Sequence, residues 1–172
     1  RAWTMAQASI ALLGPPEVRW EGRLVAFRTR KALALLAYLA VEGQAHPRDQ
    51  LAALFWPGGE PAQRRAMLRT TLQHLRRALP EPLVRAEGDT LAFVRGAELL
   101  LDIEQLGAAA SLIRATLPPD RPALRPALEA AAALGRGEFM QDFNVADVPA
   151  FDHWLLAQRQ MDAPTRQCSR AS

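Results

Sequence analysis

Pro61-Ala62-Gln63-Arg64-Arg65-Ala66-Met67-Leu68-Arg69-Thr70-Thr71-Leu72-Gln73-His74-Leu75-Arg76-Arg77-Ala78-Leu79 is the stretch on which the fold turns. Leu68, Leu72, Leu75 and Leu79 step by four, three and four residues. At about 100° per residue they fall within roughly 60° of one another, which predicts a helix with one apolar face. Pro61 suits a first helical turn, where a missing N–H costs nothing, and Pro80 ends the helix. The opposite face offers Gln63, Ala66, Thr70, Gln73, His74 and Arg77, with Met67 and Arg69 at its margins. Arg64, Arg65 and Arg76 flank the apolar side, from which long side chains snorkel outward. The helix holds five arginines and no acid. It gains nothing from internal ion pairs, whereas an ordinary solvated face mixes signs. A polyanionic partner explains such a face better than a merely basic surface does.

The elements around this helix follow from the same reasoning. Upstream, Leu33, Leu36, Ala37 and Ala40 predict a helix over Lys31–Val41, stopped by Gly43. A second helix, with Leu51, Leu54 and Phe55 on one side, runs from Pro47 to Phe55 and ends at Trp56-Pro57-Gly58-Gly59. Earlier still, Ser9–Leu13, Glu17–Trp20 and Arg23–Phe27 read as short strands separated by Gly14-Pro15-Pro16 and Glu21-Gly22. Strands this short need something packed on one face. Downstream, Leu83–Ala86, Glu87-Gly88-Asp89 and Thr90–Val94 read as a hairpin.

The back half reads as helical: Asp102–Ala115, Pro122–Leu134, a short helix or turn at Glu138–Phe143, and Pro149–Met161 with Phe151, Trp154, Leu155 and Gln158 at helical spacing. From Asp162 the chain is polar, and an irregular tail is expected there. At the other end, Arg1-Ala2-Trp3-Thr4 read as residues upstream of a start at Met5.

Composition narrows the function classes. The 172-residue chain is 49% hydrophobic, which suits one large or two small packed domains. No apolar run reaches the ~18 residues of a membrane span. A single cysteine, Cys168, rules out a disulfide framework, so a reduced, cytoplasmic setting is expected. Net charge is +3, but residues 1–95 carry 14 Arg or Lys against 8 acids, and residues 96–172 carry 7 against 10. A basic front and an acidic back suggest two functional halves, the front suited to a polyanion. Lys31 is the only lysine; GC-rich coding explains the arginine excess more simply than function does, but not the asymmetry between halves.

Catalytic and metal chemistry finds no support. There is no Ser/His/Asp set and no P-loop, and His74 has no ligand-type residue one turn away. His46 sits at a helix start and His153 on a helix surface. Glu138 and Asp142 stand one turn apart, which by itself is weak evidence for an acid–base pair. Trp56 is a candidate stacking platform for single-stranded nucleic acid, though a tryptophan beside a turn more often plugs the core. The expectation is a non-enzyme without cofactor or metal.

Several segments together resemble a known family. Leu12-Leu13-Gly14, Glu21-Gly22-Arg23 and Arg28-Thr29-Arg30-Lys31-Ala32-Leu33-Ala34-Leu35-Leu36-Ala37-Tyr38-Leu39-Ala40 look like the opening of the SARP-type bacterial transcriptional activators. Pro47-Arg48-Asp49-Gln50-Leu51 through Leu54-Phe55-Trp56-Pro57 resembles their second helix, and Leu68 through Leu79 their third. The resemblance implies an α+β chain. An OmpR/PhoB-type winged helix-turn-helix with an N-terminal β-sheet would occupy 6–96. An all-α, TPR-like start of a bacterial transcriptional activator domain would follow over 97–161, with 162–172 a disordered tail. The second part is carried by Leu101-Asp102 through Leu106, Leu134-Gly135-Arg136-Gly137-Glu138-Phe139, Asp142-Phe143 and Phe151-Asp152-His153-Trp154-Leu155, and it stops short of the family's full helical array.

The function so implied is sequence-specific binding of double-stranded DNA by a transcription activator that recruits RNA polymerase, as a homodimer on direct repeats and without a membrane partner. Base reading falls to Arg69, Thr70, Gln73, His74 and Arg77. Backbone contacts fall to Arg30, Lys31, Arg64, Arg65, Arg85 and Arg95. Trp56 and Glu60, in the turn before the third helix, would meet polymerase. The rival reading is a TPR-like protein-interaction module of a larger regulator, with DNA binding lost.

Overall fold

The computed structural model describes residues 7–96, 98–115 and 121–170. In chain order the elements are β1 (Ala8–Ala11), β2 (Glu17–Trp20), β3 (Arg23–Leu24), α1 (Arg30–Glu42), β4 (His46–Pro47), α2 (Arg48–Phe55), α3 (Pro61–Ala78), β5 (Val84–Glu87), β6 (Thr90–Phe93), β7 (Leu99–Leu101), α4 (Asp102–Ala115), α5 (Arg121–Leu134) and α6 (Pro149–Arg170). They fall into two compact units, neither continuous in sequence. One comprises the chain up to Gly22, Glu98–Phe143 and the chain from Leu155; the other comprises Arg23–Ala97 and Asn144–Trp154.

The second unit is built on three helices. Thr29 caps α1 by accepting the Ala32 N–H on Oγ1 at 3.2 Å. Gly43 ends it in a left-handed conformation, φ 67°, from which its N–H reaches the Leu39 carbonyl at 3.1 Å. Every residue from Ala34 to Ala40 is buried, so α1 is the central helix rather than a half-exposed one. Leu51 and Phe55 of α2 and Leu68, Leu72 and Leu75 of α3 are also buried, as is Leu79 just beyond α3. The leucine period of the sequence is thus the inner face of α3.

A small sheet of order β4-β6-β5 completes this frame, with His46 opposite Leu91 and Val84 opposite Phe93. Pro47, read from sequence as the first residue of a helix, instead lies in β4, and α2 starts one residue later. Its fixed φ of −59° serves either position.

Residues 144–154 belong to the same unit. Val145, Val148 and Phe151 are buried there. The Phe151 ring lies 5.6 Å from Phe55, and Trp154 lies 5.1 Å from Tyr38 while its Nε1–H donates to Glu42 Oε1 at 2.7 Å. Arg30 donates to Asn144 Oδ1 at 3.0 Å. The three-helix core is therefore closed by a segment more than fifty residues past the hairpin, which local periodicity cannot announce.

In the first unit β2 and β7 flank β1, antiparallel and parallel respectively, with Ala8 opposite both Trp20 and Leu99. The sequence led to the expectation of an all-helical part after residue 97, but that part opens with a strand. This strand pairs with β1 and so joins the opening hairpin to the segment that leads into α4. β3 is only Arg23–Leu24, shorter than the Arg23–Phe27 expected.

Asp102, 5% exposed, anchors the junction that follows. Its Oδ2 accepts the Leu12 and Leu13 N–H groups, each at 2.8 Å, and Oδ1 accepts the Ile103 N–H at 2.8 Å. Burial pushes its carboxyl up from the usual range against the pull of these bonds. Glu138–Phe143 is a bridge and turns rather than a helix: Leu13 pairs with Phe139, and Arg159 donates to the Phe139 and Met140 carbonyls at 2.9 and 2.8 Å. Gly14, at φ 108°, leaves no room for a side chain, since a Cβ would stand 3.0 Å from Arg136 Cβ. α4 and α5 pack on each other. The backbone over 162–170 continues α6, where the sequence suggested an irregular tail. No helix among the described residues is long and apolar enough to cross a membrane.

Candidate nucleic-acid interface

The turn before α3 fixes where that helix starts. Gly59 adopts φ 85°, a conformation suited to glycine, and a Cβ there would stand 2.9 Å from Gln63 Oε1. The Glu60 N–H donates to that same oxygen at 3.3 Å. Arg64 folds back on the turn, donating to the carbonyls of Gly58 and Pro57 at 3.4 and 3.3 Å. Its guanidinium ties α3 to the turn, so the backbone-contact role read from sequence competes with a structural one.

Along α3, Arg69, Thr70, Gln73 and Arg77 are exposed on the face away from Leu68, Leu72 and Leu75. The Thr70 hydroxyl donates to the Ala66 carbonyl at 3.1 Å, which spends its hydrogen inside the helix and leaves its lone pairs outward. His74 departs from expectation. It is half-buried, with Nδ1 shielded from solvent and unpartnered. It sits seven residues after Met67, hence on nearly the same line of the helix. Met67 was placed at the margin by the helical wheel, and His74 belongs beside it.

Arg76, read from the sequence only as a flank of the apolar side, is the residue missing from the expected DNA contacts. Its stem lines a small apolar recess with Leu72, Leu75, Leu79, Pro82, Leu83 and Val84, and the residue is exposed. Arg69 and Arg76 are seven apart and so share a row; the same test would have found the pair in the sequence. Among the described residues, Arg69, Arg76 and Arg77 engage in no hydrogen bond or ion pair. Their guanidinium groups are free to take phosphate or the paired acceptors of guanine, whose geometry a planar fork matches.

The other cations assigned to the DNA backbone from the sequence have neighbours of their own. Arg65 grips Asp49 of α2 with Nε to Oδ1 at 2.6 Å and Nη2 to Oδ2 at 3.0 Å. The Arg65 hydrogen bond holds the Asp49 carboxyl below its ordinary range. Arg85 pairs with Glu87 on the same strand at 2.8 Å. Arg30 holds Asn144, and Arg95 lies exposed with its guanidinium beside Gly43. Lys31 Nζ stands 5.2 Å from the centre of the Trp56 ring, and burial lowers its pKa while Asp147 opposes that shift.

Trp56 is 8% exposed, so it plugs the core and presents little surface to a partner. This corrects its assignment as a polymerase contact; of that pair only Glu60 is exposed. No group of three or more His, Cys, Asp or Glu among the described residues is arranged to hold a metal ion.

No family model matches the chain, and no curated protein does. The fold itself has been seen before. A solved structure described as Mycobacterium tuberculosis EmbR in complex with a low-affinity phosphopeptide superposes with a TM-score of 0.76 over 95% of this chain, at 20% sequence identity. The match spans 44% of that chain, so the present chain corresponds to less than half of it. At this identity the likeness speaks for the fold alone: a mixed α/β chain with an N-terminal sheet and, among the described residues, six helices.

Proposed function

We propose that the chain is a sequence-specific double-stranded DNA-binding transcription regulator of the SARP type, acting as an activator through contacts with RNA polymerase. In this reading α1 to α3 with the β5–β6 hairpin form a winged helix-turn-helix, and α3 lies in the major groove. The observation that carries it is the outward face of an acid-free α3, where Arg69, Arg76 and Arg77 are unpaired and Thr70 and Gln73 offer hydrogen-bonding groups beside them. The arginines supply phosphate contacts that position the helix, and Gln73 with Thr70 reads base edges. The shared fold with EmbR and the SARP-like sequence segments support the same assignment.

Titration of the protein against labelled genomic fragments by fluorescence anisotropy, at several salt concentrations and with competitor, tests it. One preferred fragment whose log affinity falls steeply with log salt is the expected result. Equal, salt-insensitive or absent binding by folded protein would refute it.

A second reading has its own observation. Leu112 of α4 and Leu128 of α5 are 52% and 44% exposed, as suits a helical pair that meets another protein. It describes a TPR-like interaction module, and it becomes the better account if DNA binding fails.

A further inference from the structure

The arginines around α3 fall into two electrostatic classes, and the division has a direction. Arg69, Arg76 and Arg77 have no partner among the described residues. Arg65, at the N-terminal end of the same helix, is held by both oxygens of Asp49, with side-chain exposures of 56% and 58%. Asp89 adds to the negative field at Arg65. It belongs to the turn between β5 and β6, whose carbonyl accepts the Arg48 N–H at 2.9 Å at the start of α2. One acid of α2 thus grips a cation beside the proposed DNA-binding face, and an acid of the hairpin turn adds to its negative surroundings.

The pair does little for the fold, because water and salt screen an exposed ion pair. Its consequence for a polyanion is larger. A guanidinium fully engaged by a carboxylate is neutralised for a phosphate, and to reach one it must leave Asp49 bare next to the DNA. Each cation that does engage a phosphate adds about 0.9 to the slope of log affinity on log salt.

Resting on the DNA-binding reading, we infer that Asp49 is a specificity-determining positioning residue: by holding Arg65 it withholds one cation from the phosphate backbone. Affinity common to all sequences is thereby reduced, while the bases read by α3 are unaffected. Selectivity rises because the sequence-independent share of binding falls.

Asp49→Asn is the test, measured on a 24-base-pair duplex of arbitrary sequence and on the preferred genomic fragment. Release of Arg65 is expected to tighten binding to the arbitrary duplex about five- to tenfold at 0.1 M salt and to steepen its salt slope by about 1. The ratio of preferred to arbitrary affinity is expected to fall. Asp49→Asn combined with Arg65→Gln removes a neutral pair and should return the slope to that of the wild type. Asp152→Asn removes the same charge from α6 and serves as the control for net charge. Circular dichroism melts confirm that each variant folds.

An unchanged slope in Asp49→Asn, or a change equal to that of Asp152→Asn, would overturn the inference. So would a double variant that keeps the steeper slope. A wild type that binds no duplex at low salt would instead refute the DNA-binding reading on which the inference rests.

Discussion

The two faces of α3 are built to opposite specifications. The inner face is Leu68, Leu72 and Leu75, all buried. The outer face is Arg69, Thr70, Gln73 and Arg77, all exposed, and its arginines engage nothing. One helix thus carries both a share of the core and, among the described residues, three arginines without a partner. The comparison teaches that a basic helix need not be a basic site. Arg64 and Arg65 lie on the same helix as Arg69 and Arg77, yet each is engaged, one by the turn before α3 and one by Asp49. What separates candidate contact from scaffold is whether the guanidinium already has a partner.

Variants on the two faces should therefore fail in different ways. The largest effect belongs inside: Leu68→Ala is expected to destabilise the fold by about 2–5 kcal/mol, through lost burial and a residual cavity. Chemical denaturation measures this, and a loss under about 1 kcal/mol would mean that α3 is less firmly seated than its burial indicates. Outside, Arg69→Ala with Arg77→Ala should leave stability within about 0.5 kcal/mol. The same pair should weaken binding to all DNA and lower the salt slope by about 2; a melt shifted as far as that of Leu68→Ala would erase the distinction between the faces.

Gln73→Ala sharpens the comparison within the outer face. It is expected to cost about 1–3 kcal/mol on the preferred sequence and almost nothing on an arbitrary duplex, as competitive anisotropy would show. A uniform loss would move Gln73 from base reader to backbone contact. Arg85→Ala, whose cation is paired with Glu87, should change affinity less than twofold; a slope reduced by about 1 would return it to the phosphate set.

The smallest effect concerns pH. Arg65 holds the Asp49 carboxyl below its ordinary value of about 3.9. A depressed carboxylate contributes stability that is present above the unfolded pKa and is lost as pH falls through the folded one. The difference in melting temperature between wild type and Asp49→Asn should be slight at pH 6 and close as the solution becomes acid. A difference that widens toward acid would contradict the pairing.

Much of this was legible in the sequence, because helix periods and breakers act locally. Leu68 to Leu79 with Pro61 and Pro80 located α3, and its outward residues followed from angle alone, except His74, whose kinship with Met67 the wheel already contained. Glu87-Gly88-Asp89 located the hairpin. Other features depend on partners far along the chain. Leu99–Leu101 becomes a strand only because β1 pairs with it, and Phe151 and Trp154 become core only against Phe55 and Tyr38. The partners of Arg65, Arg85 and Arg30 are equally invisible to a count of charges, and they decide which cations remain free.

The central claim is that the unpaired arginines of α3, and not the paired ones, meet DNA. The most direct test compares salt slopes on one duplex for wild type, Arg69→Ala/Arg77→Ala and Arg64→Ala/Arg85→Ala. The account predicts a slope lower by about 2 for the first variant and nearly unchanged for the second. Equal reductions in both, or a reduction confined to the second, would contradict it.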